Sequence, residues 1–122
     1  MGVYKFFPIK DSSIYSYYPA RNTGIDEMLE VYNKNDEFSD VEVARYLVQF
    51  DQDDINNFIS DNNATASINF FLKNYIAYGQ GFELDTKLEI YPISGSWENG
   101  IGKFSNSPET KVGVSWKFRN YE

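Results

Sequence analysis

A chain of 122 residues with no cysteine and no histidine is one domain-sized unit, and disulfides, thiol catalysis, thiolate metal sites and imidazole general-base chemistry are excluded from it. Its 18 acidic against 11 basic residues leave a net charge of −7, which repels a phosphate backbone over most of the surface, so nucleic acid is not an expected partner. Aromatic residues make up 18% of the chain, ten Tyr and ten Phe among them, a composition suited to strands and to surfaces where a ring is covered and its hydroxyl stays wet.

In chain order, Val3 to Ile9 reads as an aromatic-rich strand stopped or kinked by Pro8. Asp11-Ser12-Ser13 reads as a turn-like break, and Ile14 to Tyr18 as a second strand that Pro19 ends. Arg21-Asn22-Thr23-Gly24 is a turn signature in which Gly24 can take a positive φ. Glu27 to Tyr32 fits a short strand better than a helical turn, and Asn33 to Asp40 is polar enough for a surface loop.

The stretch from Val43 to Asp51 organises the rest. Ala44, Tyr46, Val48 and Phe50 alternate with Val43, Arg45, Leu47 and Gln49, which gives one wholly apolar face and one mixed face, the signature of a strand well inside a sheet. Asp51 or Asp53 can cap the short helix that follows through Ile55, Phe58 and Ile59, with Asp61-Asn62-Asn63 ending it. Beyond it, Ala66 to Leu72 alternates as a strand, Tyr78 to Gly81 is a turn, and Thr86 to Ile93 alternates again up to Pro92. Ser94 to Pro108 is a Gly-rich loop carrying Trp97, and Val112, Val114, Trp116 and Phe118 line one face of a last strand. Six or seven short strands with one brief helix predict an all-β antiparallel sandwich forming a single domain over residues 1–122.

Several residues are candidates for chemistry. Asp51-x-Asp53-Asp54 resembles a calcium loop only in part, because the Gly and bidentate Glu an EF-hand needs fall on Asn56 and Asn62. Helix capping explains the motif better, leaving Asp11, Asp51 and Asp53 as weak metal candidates and no resident cofactor expected. Arg45, a charge in a central strand, is expected to fix register through an ion pair with Asp51 or Asp11. Phe50 and Trp116 are expected in the structural core. Tyr15, Tyr17 and Tyr18 are candidates for contact with a neighbouring subunit or a glycan, with ordinary packing as the alternative, and Trp97 in its loop is a further surface candidate. Composition alone leaves paired-carboxylate glycoside chemistry open, but no carboxylate pair is marked by an apolar setting, and the chain reads as non-enzymatic. Of the 18 acidic residues, 11 lie between Asp26 and Asp61, an acidic edge that keeps the protein soluble or meets a basic partner.

The order of motifs resembles the DNRLRE-type domain, a jelly-roll β-sandwich similar to carbohydrate-binding modules. The residues carrying the resemblance are Asn22-Thr23-Gly24 before Leu29-Glu30-Val31, then Arg45-x-Leu47-x-Gln49-Phe50-Asp51, and Ala66-x-Ile68-x-Phe70-x-Leu72. Leu88-x-Ile90-Tyr91-x-Ile93, Trp97-x-x-Gly100-x-Gly102 and Gly113-x-Ser115-Trp116 complete it. Such domains occur in secreted bacterial and archaeal proteins and in phage structural proteins. The opening residues and Leu88 to Trp97 are also similar to small virion proteins of large tailed phages.

The family pattern implies that Trp97 packs over the sandwich end. The family's domain usually continues past the Gly-x-Ser-Trp strand. The resemblance therefore implies a shortened member, the N-terminal two-thirds of a longer domain, or an incomplete sandwich closed by neighbouring chains. It further implies a structural component of a phage particle, associated with head, neck or tail and held in many copies by aromatic and edge-strand contacts with other virion proteins. The alternative implied by the fold analogy is an adhesion module contacting host surface glycan. No apolar run approaches ~20 residues, so no membrane segment is expected, and the start lacks the pattern of a signal peptide. The expected location is the virion, after synthesis in the host cytoplasm.

Overall fold

A computed structural model describes residues 3–35, 41–62, 68–79 and 87–121. They form a small β-rich fold with one helix. The elements are β1 (Pro8–Tyr15), β2 (Tyr32–Asn35), β3 (Val41–Phe50) and α1 (Gln52–Asp61). The three strands make one antiparallel sheet in the order β1-β3-β2, so the stretch singled out by its alternation is the central strand.

The first strand is displaced from its expected place. Pro8 starts it instead of stopping it, a position where the missing N–H harms no ladder. Asp11-Ser12-Ser13 is no break: these residues pair with Val48, Leu47 and Tyr46. The register shifts by one residue between Pro8 and Lys10, a bulge that bends the strand's entry. Polar composition suggested a turn here, but the two serines are buried and their polar atoms are used. Thr23 Oγ1 donates to Ser13 O at 2.7 Å, and Glu30 N donates to Ser13 Oγ at 2.9 Å. Residues 3–7 lie outside the sheet, with Tyr4 stacked on Phe58 of α1 at 4.5 Å and Phe6 edge-on to it at 5.8 Å.

Further along, β2 begins only at Tyr32, so the strand expected over Glu27 to Tyr32 is loop, and the expected loop from Asn33 opens as strand. The helix follows expectation. Asp51 Oδ1 accepts from Asp53 N at 2.9 Å as the N-cap, Asp53 and Asp54 sit in the first turn, and Asn62 Nδ2 closes the end on Phe58 O at 2.9 Å.

The strand expected over Ala66 to Leu72 begins outside the described residues, and residues 68–72 are not strand. The same holds for Thr86 to Ile93, of which Thr86 lies outside and residues 87–93 form no ladder. Of the turn at Tyr78 to Gly81, Gln80 and Gly81 lie outside. The last expected strand doubles back on itself. Ser115 N donates to Phe118 O at 2.8 Å, and Gly113 and Tyr121 form an antiparallel bridge, so Val112 to Phe118 cannot run straight.

The core depends on a buried polar knot. Asn22 is 0% exposed, and its carboxamide makes every hydrogen bond it can. Nδ2 donates to Asn99 O at 2.9 Å and to Val114 O at 2.8 Å, while Oδ1 accepts from Gly24 N at 3.1 Å and Gly102 N at 2.8 Å. Its backbone N donates to Thr110 O at 2.7 Å. Asn99 extends the knot to the sheet: Oδ1 accepts from Asp11 N at 3.0 Å, and Nδ2 donates to Gly24 O at 2.6 Å. The outer edge of β1 is thus covered by loop groups, which blunts one open edge.

Glycine is required where the backbones meet. A Cβ on Gly24 would overlap the Asn99 carbonyl, and one on Gly100 would overlap the Asn22 carboxamide. Gly24 does not use a positive φ, contrary to the turn signature; its constraint is close approach. Positive φ occurs at Gly95, Gly100 and Gly113.

Two substitutions test this frame. Asn22→Asp keeps the shape but replaces two donors by acceptors facing the Asn99 and Val114 carbonyls. It should destabilise by about 3 kcal/mol or more at neutral pH in urea unfolding. Burial raises the folded-state pKa of that carboxyl above its unfolded value. The loss should therefore be complete above the folded pKa and ease as pH falls through it towards the unfolded pKa. Asp51→Ala should cost about 1 kcal/mol in the same assay, and Asp51→Asn much less.

Candidate interaction surface

The two faces of the sheet bury different groups. On one face, Tyr15 is 2% exposed and packs against Tyr32 at 6.2 Å and Phe104 at 5.0 Å. Burial, with Glu30 adding to it, pushes its phenol well above the usual tyrosine range, so the ring stays neutral. Tyr18 packs edge-on to Phe104 at 5.2 Å, with the Arg21 guanidinium 4.3 Å from the Tyr18 ring centre and 4.8 Å from that of Phe104. Arg21 also donates to Phe104 O at 3.0 Å and lies 3.5 Å from Glu109. Tyr17, 60% exposed, rests against Tyr18 at the rim.

The other face opens into a groove of about 310 Å³. Its floor is Ile14 and Leu47, neighbours across β1 and β3, and its walls include Trp97, Val114, Trp116 and Phe118. Trp97 is held by Lys10, whose Nζ donates to the Trp97 carbonyl at 3.0 Å and approaches Glu98 at 3.7 Å. Lys117 and Arg119 line the groove, no acidic residue does, and Arg45 stands beside it with its guanidinium 5.2 Å from the Trp116 ring centre. The mouth is therefore apolar with a cationic margin.

The geometry separates the candidate residues that pack from those that stay open. Trp97 is only 5% exposed and Tyr15 2%, so neither presents a ring to a glycan or a neighbour, whereas Tyr17 does. Trp116, expected in the core, is 36% exposed, because the Ser115–Phe118 turn carries it to the groove mouth. Phe50, partly buried, ends the central strand opposite Pro8. Arg45 makes no ion pair among the described residues. It projects from the face opposite Asp11, and Asp51 is occupied with its cap. The partly buried cations with carboxylate partners are Arg21, beside Glu109, and Lys10, beside Glu98.

Asp11 sits in β1, apart from Asp51 and Asp53 at the helix start. No group of three acidic side chains suited to a metal is gathered among the described residues. Glu89 lies on the surface, its carboxyl held below the usual range by Lys87 at 2.6 Å and by the Tyr91 hydroxyl at 2.6 Å. The buried hydroxyls of Ser13 and Thr23 are engaged in the hydrogen bonds that hold β1. What the arrangement can do is bind, through aromatic and apolar contact bordered by cations.

Sequence reasoning missed the Asn22–Asn99 knot and the Arg21–Phe104 stack. The signal for the first was present as Gly24, Gly100, Gly102 and Gly113 in otherwise polar loops.

The tryptophans offer a direct check. Trp116→Phe should leave a blue-shifted emission resistant to acrylamide, from buried Trp97; Trp97→Phe should leave a red-shifted, quenchable one. Comparison with protein-family models, with curated proteins and with solved structures finds no match.

Proposed function

We propose that this chain is a non-enzymatic structural component of a tailed-phage particle, built into head, neck or tail in many copies. In this reading its sheet is part of a jelly-roll-like sandwich that neighbouring chains close. The observation that carries the reading is the exposed surface. The chain presents 10198 Å² to solvent, against roughly 6,800 Å² for a compact monomer of its mass. Ten large apolar side chains between Phe70 and Ile93 are among the exposed ones. A free monomer rarely leaves so much apolar surface open; a subunit of an assembly does.

The resemblance supplies the particle. Its motif residues Asn22, Gly24, Gly100, Gly102 and Gly113 converge on one hydrogen-bonded knot, which supports reading them as parts of one architecture. Among the described residues no helix is long and apolar enough to cross a membrane.

Adhesion to a host surface glycan is the second reading, favoured by Trp116 at the groove mouth with Arg45 beside it. It assigns stacking to Trp116 and Tyr17, not to the buried Trp97.

Mass spectrometry of purified particles should find the chain at a copy number comparable to other repeated virion proteins. Its absence from particles would sink the structural reading. A glycan array that shows no binding, or binding unchanged by Trp116→Ala, would remove the adhesion reading.

A further inference from the structure

Residues 68–79 and 87–96 combine properties that do not belong together in a free chain. From 69 to 79 and from 87 to 96 every residue is exposed, with Phe71 at 87% and Tyr75 at 80%. Their backbone groups make no backbone hydrogen bond with any described residue. Yet both segments carry strand-like alternation, Ile68, Phe70 and Leu72 in one and Leu88 and Ile90 in the other. These are strands in sequence that find no ladder among the described residues of their own protomer.

The same chain carries a vacancy that such strands fit. Among the described residues, β2 pairs with β3 on one side only, while loop groups cover the outer edge of β1. Charge favours the match. Residues 68–79 contain Lys73 and no acidic residue, and 87–93 balance Lys87 with Glu89, whereas 11 of the 18 acidic residues lie between Asp26 and Asp61, the stretch that surrounds β2, whose own four residues carry Lys34 as their one charge. The surface in excess of a compact monomer, roughly 3,400 Å² by the same scaling, falls in the range buried by obligate subunit contacts, about 2,000–5,000 Å².

We propose that residues 68–79 and 87–93 are donated as strands to the β2 side of the sheet in a second copy of this chain. Each copy then supplies strands to one neighbour and an edge to another, or both reciprocally to one partner. This rests on the structural reading above and names the partner within it.

The test is sedimentation velocity on the full chain with hydrogen exchange resolved by segment. The wild type should be oligomeric, with amides of 68–79 protected in the oligomer. Phe71→Lys with Ile76→Lys alters two exposed side chains, so far-UV circular dichroism of the sheet and helix should persist. Association should weaken by about 100-fold or more, and protection of 68–79 should be lost with it. A wild-type chain that stays monomeric would overturn the proposal, as would an oligomer whose 68–79 amides exchange freely. The two readings fail separately: a monomer present in particles removes self-pairing alone, and a self-paired oligomer absent from particles removes the virion reading alone.

Discussion

One side-chain amide holds the fold together. Asn22 has two donors and two acceptor sites, and all are filled by backbone groups from residues 24, 99, 102 and 114. These groups lie in loops that have no strand ladder to satisfy them, and those of residues 24, 102 and 114 are buried. Without the amide, several buried carbonyls and N–H groups would be left without partners, which is costly in a medium of low polarity. The glycines around it follow from the same requirement. Backbones reach a central amide closely only where no Cβ stands between, as at Gly24, Gly100 and Gly102.

The knot also sets what each side of the sheet becomes. By binding Asp11 N through Asn99 and Ser13 O through Thr23, it covers the outer edge of β1. The loop from 96 to 104 is thereby anchored over the sheet, burying Trp97 beside the groove and placing Phe104 between Tyr15 and Tyr18. The short turn at Ser115–Phe118 then sends Trp116 outward beside Arg45. A polar interaction in the loops thus decides which aromatic residues are core and which are available for contact.

The fully buried apolar core is small: Tyr15, Ala44, Trp97 and Val114 among the described residues. Much of the aromatic content lies on the surface. The knot and the sheet it borders hold these four buried residues.

Local sequence determined what depends on neighbours along the chain. The alternation of Ala44, Tyr46, Val48 and Phe50 specified the central strand, because a period of two is set by the backbone itself. Asp51 with Asp53 and Asp54 specified the helix start, because capping acts over three residues. Tertiary structure decided what depends on partners remote in sequence. Asp11-Ser12-Ser13 became strand because β3 and Thr23 satisfy it. Ile68 to Leu72 and Leu88 to Ile93 did not become strand, because alternation creates a face but not the strand it must pair with. The burial of Trp97 and the exposure of Trp116 were likewise settled by a turn and a loop anchored through Asn22, dozens of residues away in the chain.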